Sequence, residues 1–166
     1  MDNERSNSLQ STLRVYRLPE NASAQQPLIE RAEEDLLCAL SLYRRGVCGY
    51  LPLVNICFLL HQTLEKWLKA FIAVQGITAS ARGQHDLYRR FEAVENKESA
   101  FGEIWRMIKE VAPEILDHKF PGNLRYNETP ADIEQYVEVL LKATFAVRRI
   151  VKRKLNETKE GHYELP

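Results

Sequence analysis

Three polar side chains recur at one-turn intervals within a long apolar segment of the sequence. His61, Glu65 and Lys69 follow one another at i,i+4 spacing, so a helix would carry all three on one face. Their types fit two arrangements: an exposed or half-buried face on which Glu65 and Lys69 pair locally, or a polar cleft between helices that holds a ligand. They do not predict a metal site, because neither a second His nor a carboxylate pair stands at ligand spacing.

A second pair of candidates stands where a loop is expected to meet a helix. His85 directly precedes Asp86, two residues after Gly83. Asp86 is a suitable N-cap for a short helix, and His85 would then be no more than its neighbour. A histidine beside a carboxylate also serves as a general base or a ligand contact near neutral pH. The sequence leaves both interpretations open.

Arg125 and Tyr126 are the third candidate group, just ahead of the last expected helix. A guanidinium binds anions through two parallel hydrogen bonds, and the start of a helix offers further backbone donors. The tyrosine ring adds a stacking surface. This combination suits a phosphate group, and a plain surface ion pair is the alternative.

The one local basic cluster lies near the end of the same helix. It consists of Arg148, Arg149, Lys152, Arg153 and Lys154. Cations near a helix C-terminus offset the helix macrodipole, and we favour this role over contact with nucleic acid.

The composition indicates one globular domain. A chain of 166 residues, 45% of them hydrophobic, can bury one sizeable core. Lys and Arg balance Asp and Glu at 23 each, so no global charge favours nucleic acid or a membrane. The first residues lack a signal-peptide pattern and no apolar run reaches about 18 residues, so we expect a cytoplasmic protein without membrane contact. The sequence also lacks a Gly-rich phosphate loop, a G-x-S-x-G elbow and H-E-x-x-H, which argues against kinases, hydrolases and zinc proteases.

The cysteines do not suggest a disulfide or a metal site. Cys38, Cys48 and Cys57 are an odd number, have no C-x-x-C spacing and stand among apolar residues. We expect buried, reduced thiols.

Helices are the elements that would position the candidate groups. Hydrophobic periodicity, Pro and Gly signals and caps predict helices over about 27–45, 51–75, 86–94, 99–118 and 130–154. Pro113 should kink or split the fourth, and Thr129-Pro130 should start the last with Asp132 in its first turn. We expect a strand-like stretch over 12–18 and a loop over 120–128.

Three helices carry apolar stripes that should face the core. The stripes consist of Leu36, Leu40 and Tyr43; of Phe101, Ile104, Trp105, Ile108 and Val111; and of Ile133, Val137, Leu140, Thr144, Val147 and Val151. The fold expected is an all-α, up-and-down bundle of four or five helices with a short extra helix after the second long one. We divide the chain into a polar arm (1–26), the bundle (27–155) and a C-terminal tail (156–166).

The order of these segments resembles a HEPN domain over about residues 30–155. The resemblance rests on AEEDLLCALSLY, HQTLEKWLKAFIAVQG, QHDLYRRF and LRYNETPADIEQYVEVLLKATFAVRRIV. The combination is similar to the subfamily found beside, or fused to, minimal nucleotidyltransferases. The resemblance implies a homodimer, for which the last helix or the apolar second helix would supply the surface. It also implies, for many members, metal-independent RNA cleavage by an Arg followed by a His after four to six intervening residues.

This sequence departs from that cutting motif. No His follows Arg125 at the required distance, and Arg82 has His85 after only two intervening residues. The expected function is therefore a non-cleaving module that binds a nucleotide or RNA, or a partner nucleotidyltransferase, in a toxin–antitoxin or defence-type setting and without a cofactor. The site would comprise Glu65, Lys69, His85, Asp86, Arg125 and Tyr126. In it Arg125 and Lys69 would hold phosphate, Tyr126 would pack against a base, and the carboxylates would orient the cations, unless the group is only a buried network. The alternatives are a diverged ribonuclease and a purely structural or regulatory subunit.

Overall fold

The computed structural model describes residues 20–45, 52–78, 86–126 and 130–160. Within these ranges the chain forms α-helices and no strand, which confirms the all-α bundle. The helices are α1 (Gln26–Arg45), α2 (Leu53–Val74), α3 (Leu87–Glu95), α4 (Ala100–Val111), α5 (Gly122–Tyr126) and α6 (Ile133–Glu160), with 3-10 turns at Glu20–Gln25 and Pro113–Leu116.

Helix α2 lies at the centre of the bundle and packs against α1, α3 and α6. The consecutive runs 63–65, 67–68 and 70–72 are all buried. Successive residues of a helix point about 100° apart, so burial of such runs requires neighbours on several sides. The helix ends where Gly76 adopts φ +61°, a left-handed conformation that favours glycine.

Helix α6 packs along α2 and α4 through the predicted apolar stripe. Every position of that stripe is buried: Ile133, Val137, Leu140, Thr144, Val147 and Val151. Each large apolar side chain buried in this way contributes about 1.5–3 kcal/mol to stability. The stripe of α6 is thus buried within the chain itself, whereas α2 keeps partly exposed apolar positions such as Leu53 and Phe58. The homodimer stays a prediction.

The last two helices differ from the prediction in three respects. The segment 120–128 is not all loop, because it contains α5. Helix α6 begins at Ile133 rather than at Pro130, since the backbone first makes a tight turn in which the Ile133 amide donates to the Pro130 carbonyl at 3.2 Å. The helix continues to Glu160, past the expected end at Lys154. The proposed cap Thr129 lies outside the described residues, as does the strand-like stretch 12–18.

The fourth predicted helix is split at Pro113, as expected, and its apolar stripe is shorter than predicted. Phe101, Ile104 and Ile108 are buried. Val111 is the last residue of α4 and is 45% exposed, because the chain leaves the helix axis just after it. Trp105 is only partly buried and points its ring toward α3.

The stripe of α1 also fades toward its C-terminal end. Leu36 is buried and Leu40 partly so, whereas Tyr43 is 42% exposed. The expected burial of Cys38 is wrong, because this thiol lies on the exposed side of α1. Cys57 is buried in the core as expected, and burial raises the pKa of its thiol to about 12. Cys48 lies outside the described residues.

Candidate functional site

The polar stripe of α2 is not a half-buried face. His61 is fully buried and the Glu65 side chain is 2% exposed, whereas Lys69 is 36% exposed. The cause is the central position of α2, which places the first two residues inside the bundle and only the third at its surface. A charged carboxylate at such depth requires compensating cations.

Glu65 receives those cations from two helices. One carboxylate oxygen lies 2.5 Å from Nζ of Lys69 on α2 and 3.4 Å from a guanidinium nitrogen of Arg90 on α3. Burial lowers the pKa of Arg90, and the charges of Glu65 and Asp86 oppose that shift. The contacts tie α2 to α3 through charge and leave the Lys69 ammonium at the surface.

Asp86 precedes the first residue of α3 and acts as the N-cap that the sequence predicted. Its side chain accepts a hydrogen bond from the Arg89 amide at 3.1 Å, which makes it the N-cap. Its other carboxylate oxygen lies 3.2 Å from Nε of Arg89. Glu65, Lys69, Asp86, Arg89 and Arg90 thus form one group, which we call the charged cluster.

Arg89 and Arg90 are the members of the charged cluster that sequence reasoning missed, and Arg90 is the one that reaches α2. It follows Asp86 by four residues in QHDLYRRF, the helical spacing at which an arginine lies near the first-turn carboxylate. The i,i+4 spacing of Asp86 and Arg90 could therefore have identified Arg90 from the sequence. What the sequence lacked was the packing of α3 on α2, which carries Arg90 to Glu65.

The remaining candidate residues, His61, His85, Arg125 and Tyr126, are not among the members of the charged cluster. His61 packs its ring against Phe120, with ring centroids 5.1 Å apart, so it lies toward the chain that leads to α5. Arg125 and Tyr126 form the end of α5, and their side chains lie outside the described part of the structure. His85 also lies outside the described residues.

A cavity of about 230 Å³ opens beside α5 and the start of α6. Its lining consists of Glu114, Asp117, Phe120, Asn123, Leu124, Pro130 and Tyr136. The Tyr136 hydroxyl donates to Glu114 at 3.0 Å. Burial, then the bond to Glu114 and the charges of Glu114 and Asp132, raise the pKa of Tyr136 to about 12.

The basic cluster of α6 is largely paired with carboxylates. Arg148 donates two hydrogen bonds to Glu33, at 2.6 and 2.8 Å, and Lys152 lies 3.5 Å from the same carboxylate. Arg153 and Lys154 approach Glu98 within 3.5 and 3.1 Å, and Arg149 is exposed. These pairs join α6 to neighbouring elements, which is a further role beside the offset of the macrodipole.

Among the described residues, no group of three His, Cys, Asp or Glu side chains could hold a metal ion. No helix in that part of the chain combines the length and apolarity needed to cross a bilayer.

Comparison with protein families matches the chain to the HEPN domain over residues 25–154. The search of curated proteins and that of solved structures gave no match.

Proposed function

The chain belongs to the HEPN domain family, which it matches over residues 25–154, and we propose that it is a phosphate-binding module that does not cut RNA. Its ligand is a nucleotide or an RNA segment. The proposed binding groups are Lys69 and Arg125 for the phosphate, Tyr126 for the base, and His85 as a further ligand contact.

The charged cluster carries this proposal. Lys69 is 36% exposed, and its ammonium is fixed at the surface by the 2%-exposed Glu65. The contacts of the charged cluster join Lys69, Arg89 and Arg90 to the carboxylates of Glu65 and Asp86. Anchored cations lose little side-chain freedom on binding an anion, so a phosphate is the ligand that this arrangement favours.

The proposal excludes cleavage because of the sequence around Arg125. No His follows it at the family's spacing, so a proton-transferring group of the usual kind is missing. Purified protein should therefore leave single-stranded RNA intact. Cleavage by the wild type that disappears in His85→Ala would overturn this part of the proposal and favour a diverged ribonuclease.

The binding test is a calorimetric titration of the purified protein with ATP. We expect Lys69→Ala and Arg125→Ala to weaken ATP binding by about tenfold each, the loss typical of one charge-assisted contact. Lys142→Ala and Arg31→Ala are the matched controls, since both side chains are exposed on other parts of the bundle. Binding that Lys69→Ala and Arg125→Ala leave unchanged would overturn the site.

The proposal includes two partners, a second copy of the chain and a nucleotidyltransferase, within a toxin–antitoxin or defence-type system. The motifs shared with the nucleotidyltransferase-associated subfamily support it. Light scattering on the purified chain tests the dimer, and co-purification with a nucleotidyltransferase encoded beside its gene tests the partner. A monomer that recovers no such enzyme would overturn this part and leave the ligand proposal to its own test.

A further inference from the structure

Two aromatic rings meet on the outer side of α3 and α4, away from the core. Tyr88 contacts Trp105 edge to face, with centroids 5.6 Å apart and planes at 76°. Tyr88 is 41% exposed although its ring is one of the larger apolar groups of the chain. Exposed aromatic rings that contact each other offer flat surfaces to a ligand.

Cations surround Trp105. Lys109 places Nζ 5.5 Å from the ring centroid, and the Arg106 guanidinium carbon lies 5.9 Å from it. Glu95 accepts from the indole N–H at 2.9 Å and from Arg106 at 2.9 Å. We call Tyr88, Trp105, Arg106 and Lys109 the aromatic patch. Around Trp105 two cations thus meet one carboxylate.

The indole is held in a fixed orientation, and a glycine makes this possible. A side chain at Gly102 would overlap the carboxylate of Glu95 and lie 2.9 Å from Arg106. Gly102 therefore leaves room for Glu95 to reach both Trp105 and Arg106. A ligand surface built in this way is ordered before the ligand arrives, which lowers the entropy cost of binding.

We propose that the aromatic patch binds a single-stranded nucleic-acid segment, with a base stacked on Tyr88 and backbone phosphates beside Arg106 and Lys109. Aromatic rings interleaved with cations are the combination that single strands use, because each base has a flat face and each linkage carries a negative charge. An acidic peptide would use the cations and leave the stacking surface without a matching group.

The position of α3 connects this patch to the charged cluster. Tyr88 is followed by Arg89, which is exposed and pairs with Asp86, and then by Arg90, which pairs with Glu65. A strand that stacks on Tyr88 would therefore have the exposed Arg89 as its nearest cation of the charged cluster, whereas Arg90 faces α2. The inference rests on the proposed function and deepens it, since it identifies the ligand as a strand rather than a mononucleotide.

The test measures fluorescence anisotropy of a labelled oligouridylate of about ten nucleotides, a length typical of single-strand sites. We expect Tyr88→Ala to weaken binding by about tenfold, the loss typical of one stacked base. Tyr43→Ala is the matched control, because Tyr43 is 42% exposed on α1 against 41% for Tyr88. Gly102→Ala should also weaken binding, since it displaces Glu95 without removing a contact residue. Thermal unfolding checks that all three variants fold.

Charge and base contacts are separated by two further measurements. Lys109→Ala should reduce the slope of log affinity against log salt by about one, whereas Lys142→Ala should not. An abasic oligomer should bind wild type and Tyr88→Ala equally. The inference is overturned if Tyr88→Ala leaves binding of the oligouridylate unchanged. It is also overturned if the wild type binds the abasic oligomer as tightly as the oligouridylate, or if a poly-glutamate peptide alone displaces the oligouridylate.

The outcomes also separate this inference from the proposed function. If Lys69→Ala weakens ATP binding while Tyr88→Ala leaves the oligouridylate unaffected, the phosphate site stands and the aromatic patch does not. If Tyr88→Ala weakens binding of the oligouridylate while Lys69→Ala leaves ATP binding unchanged, the aromatic patch stands and the phosphate site does not.

Discussion

Arg90 of α3 places its guanidinium 3.4 Å from the buried carboxylate of Glu65 on α2. The contact joins two helices that are separated in sequence by residues 75–86. Glu65 therefore pairs with cations of two helices, Lys69 of α2 and Arg90 of α3. It also holds α3, and with it Tyr88 and Arg89, against the centre of the bundle.

Glu65→Gln should therefore destabilise the fold. The substitution keeps the size of the side chain but leaves Lys69 and the partly buried Arg90 without their carboxylate. Breaking a buried pair from one side costs about 3 kcal/mol of unfolding free energy. Urea unfolding measures the loss, with Glu34→Gln on the exposed side of α1 as a control expected to change stability by less than about 0.5 kcal/mol. Equal stability of the two variants would contradict the role assigned to Glu65.

Asp86 should stabilise α3 mainly as a cap. Asp86→Ala removes the acceptor for the Arg89 amide and should cost about 1 kcal/mol. Asp86→Asn keeps an acceptor and loses only the charge, so its stability should lie close to that of the wild type. Urea unfolding of both variants separates the two roles, since equal losses would show that the charge matters and the cap does not.

Gly76 should resist replacement because of its backbone conformation alone. Nothing lies within 4 Å of a Cβ built at this residue, but its φ is +61°. Gly76→Ala should lower the unfolding free energy by about 1 kcal/mol, the cost of a left-handed residue with a side chain. Gly122, in α5, has the same open surroundings and no positive φ, so Gly122→Ala should be neutral or slightly stabilising. Thermal unfolding of the two variants tests the contrast.

Tyr136 should make stability depend on alkaline pH. Its pKa is raised from 10.0 to about 12, first by burial and then by its bond to Glu114. A raised pKa in the folded state means that the neutral phenol stabilises the fold fully below pH 10, and that this contribution is lost as the pH rises toward 12. Tyr136→Phe should show a flatter decline over that interval. Urea unfolding at a series of pH values measures it, and parallel declines in both proteins would count against the assignment.

The sequence by itself determined the helices, the core-facing stripe of α6, the cap at Asp86 and the break at Pro113. These depend on periodicity and on local hydrogen-bonding chemistry, which neighbouring residues specify. The sequence also carried the family motifs, and the match over residues 25–154 confirms that resemblance.

Only the tertiary structure decided which polar residues are buried and which charges meet. Glu65 and Lys69 lie one turn apart on the same helix, yet one is 2% exposed and the other 36%, because the cover over this face of α2 differs between the two turns. Arg90 reaches Glu65 across 25 positions of sequence through the packing of α3 on α2. Local spacing specifies a face of a helix, but what covers that face depends on helices distant in sequence.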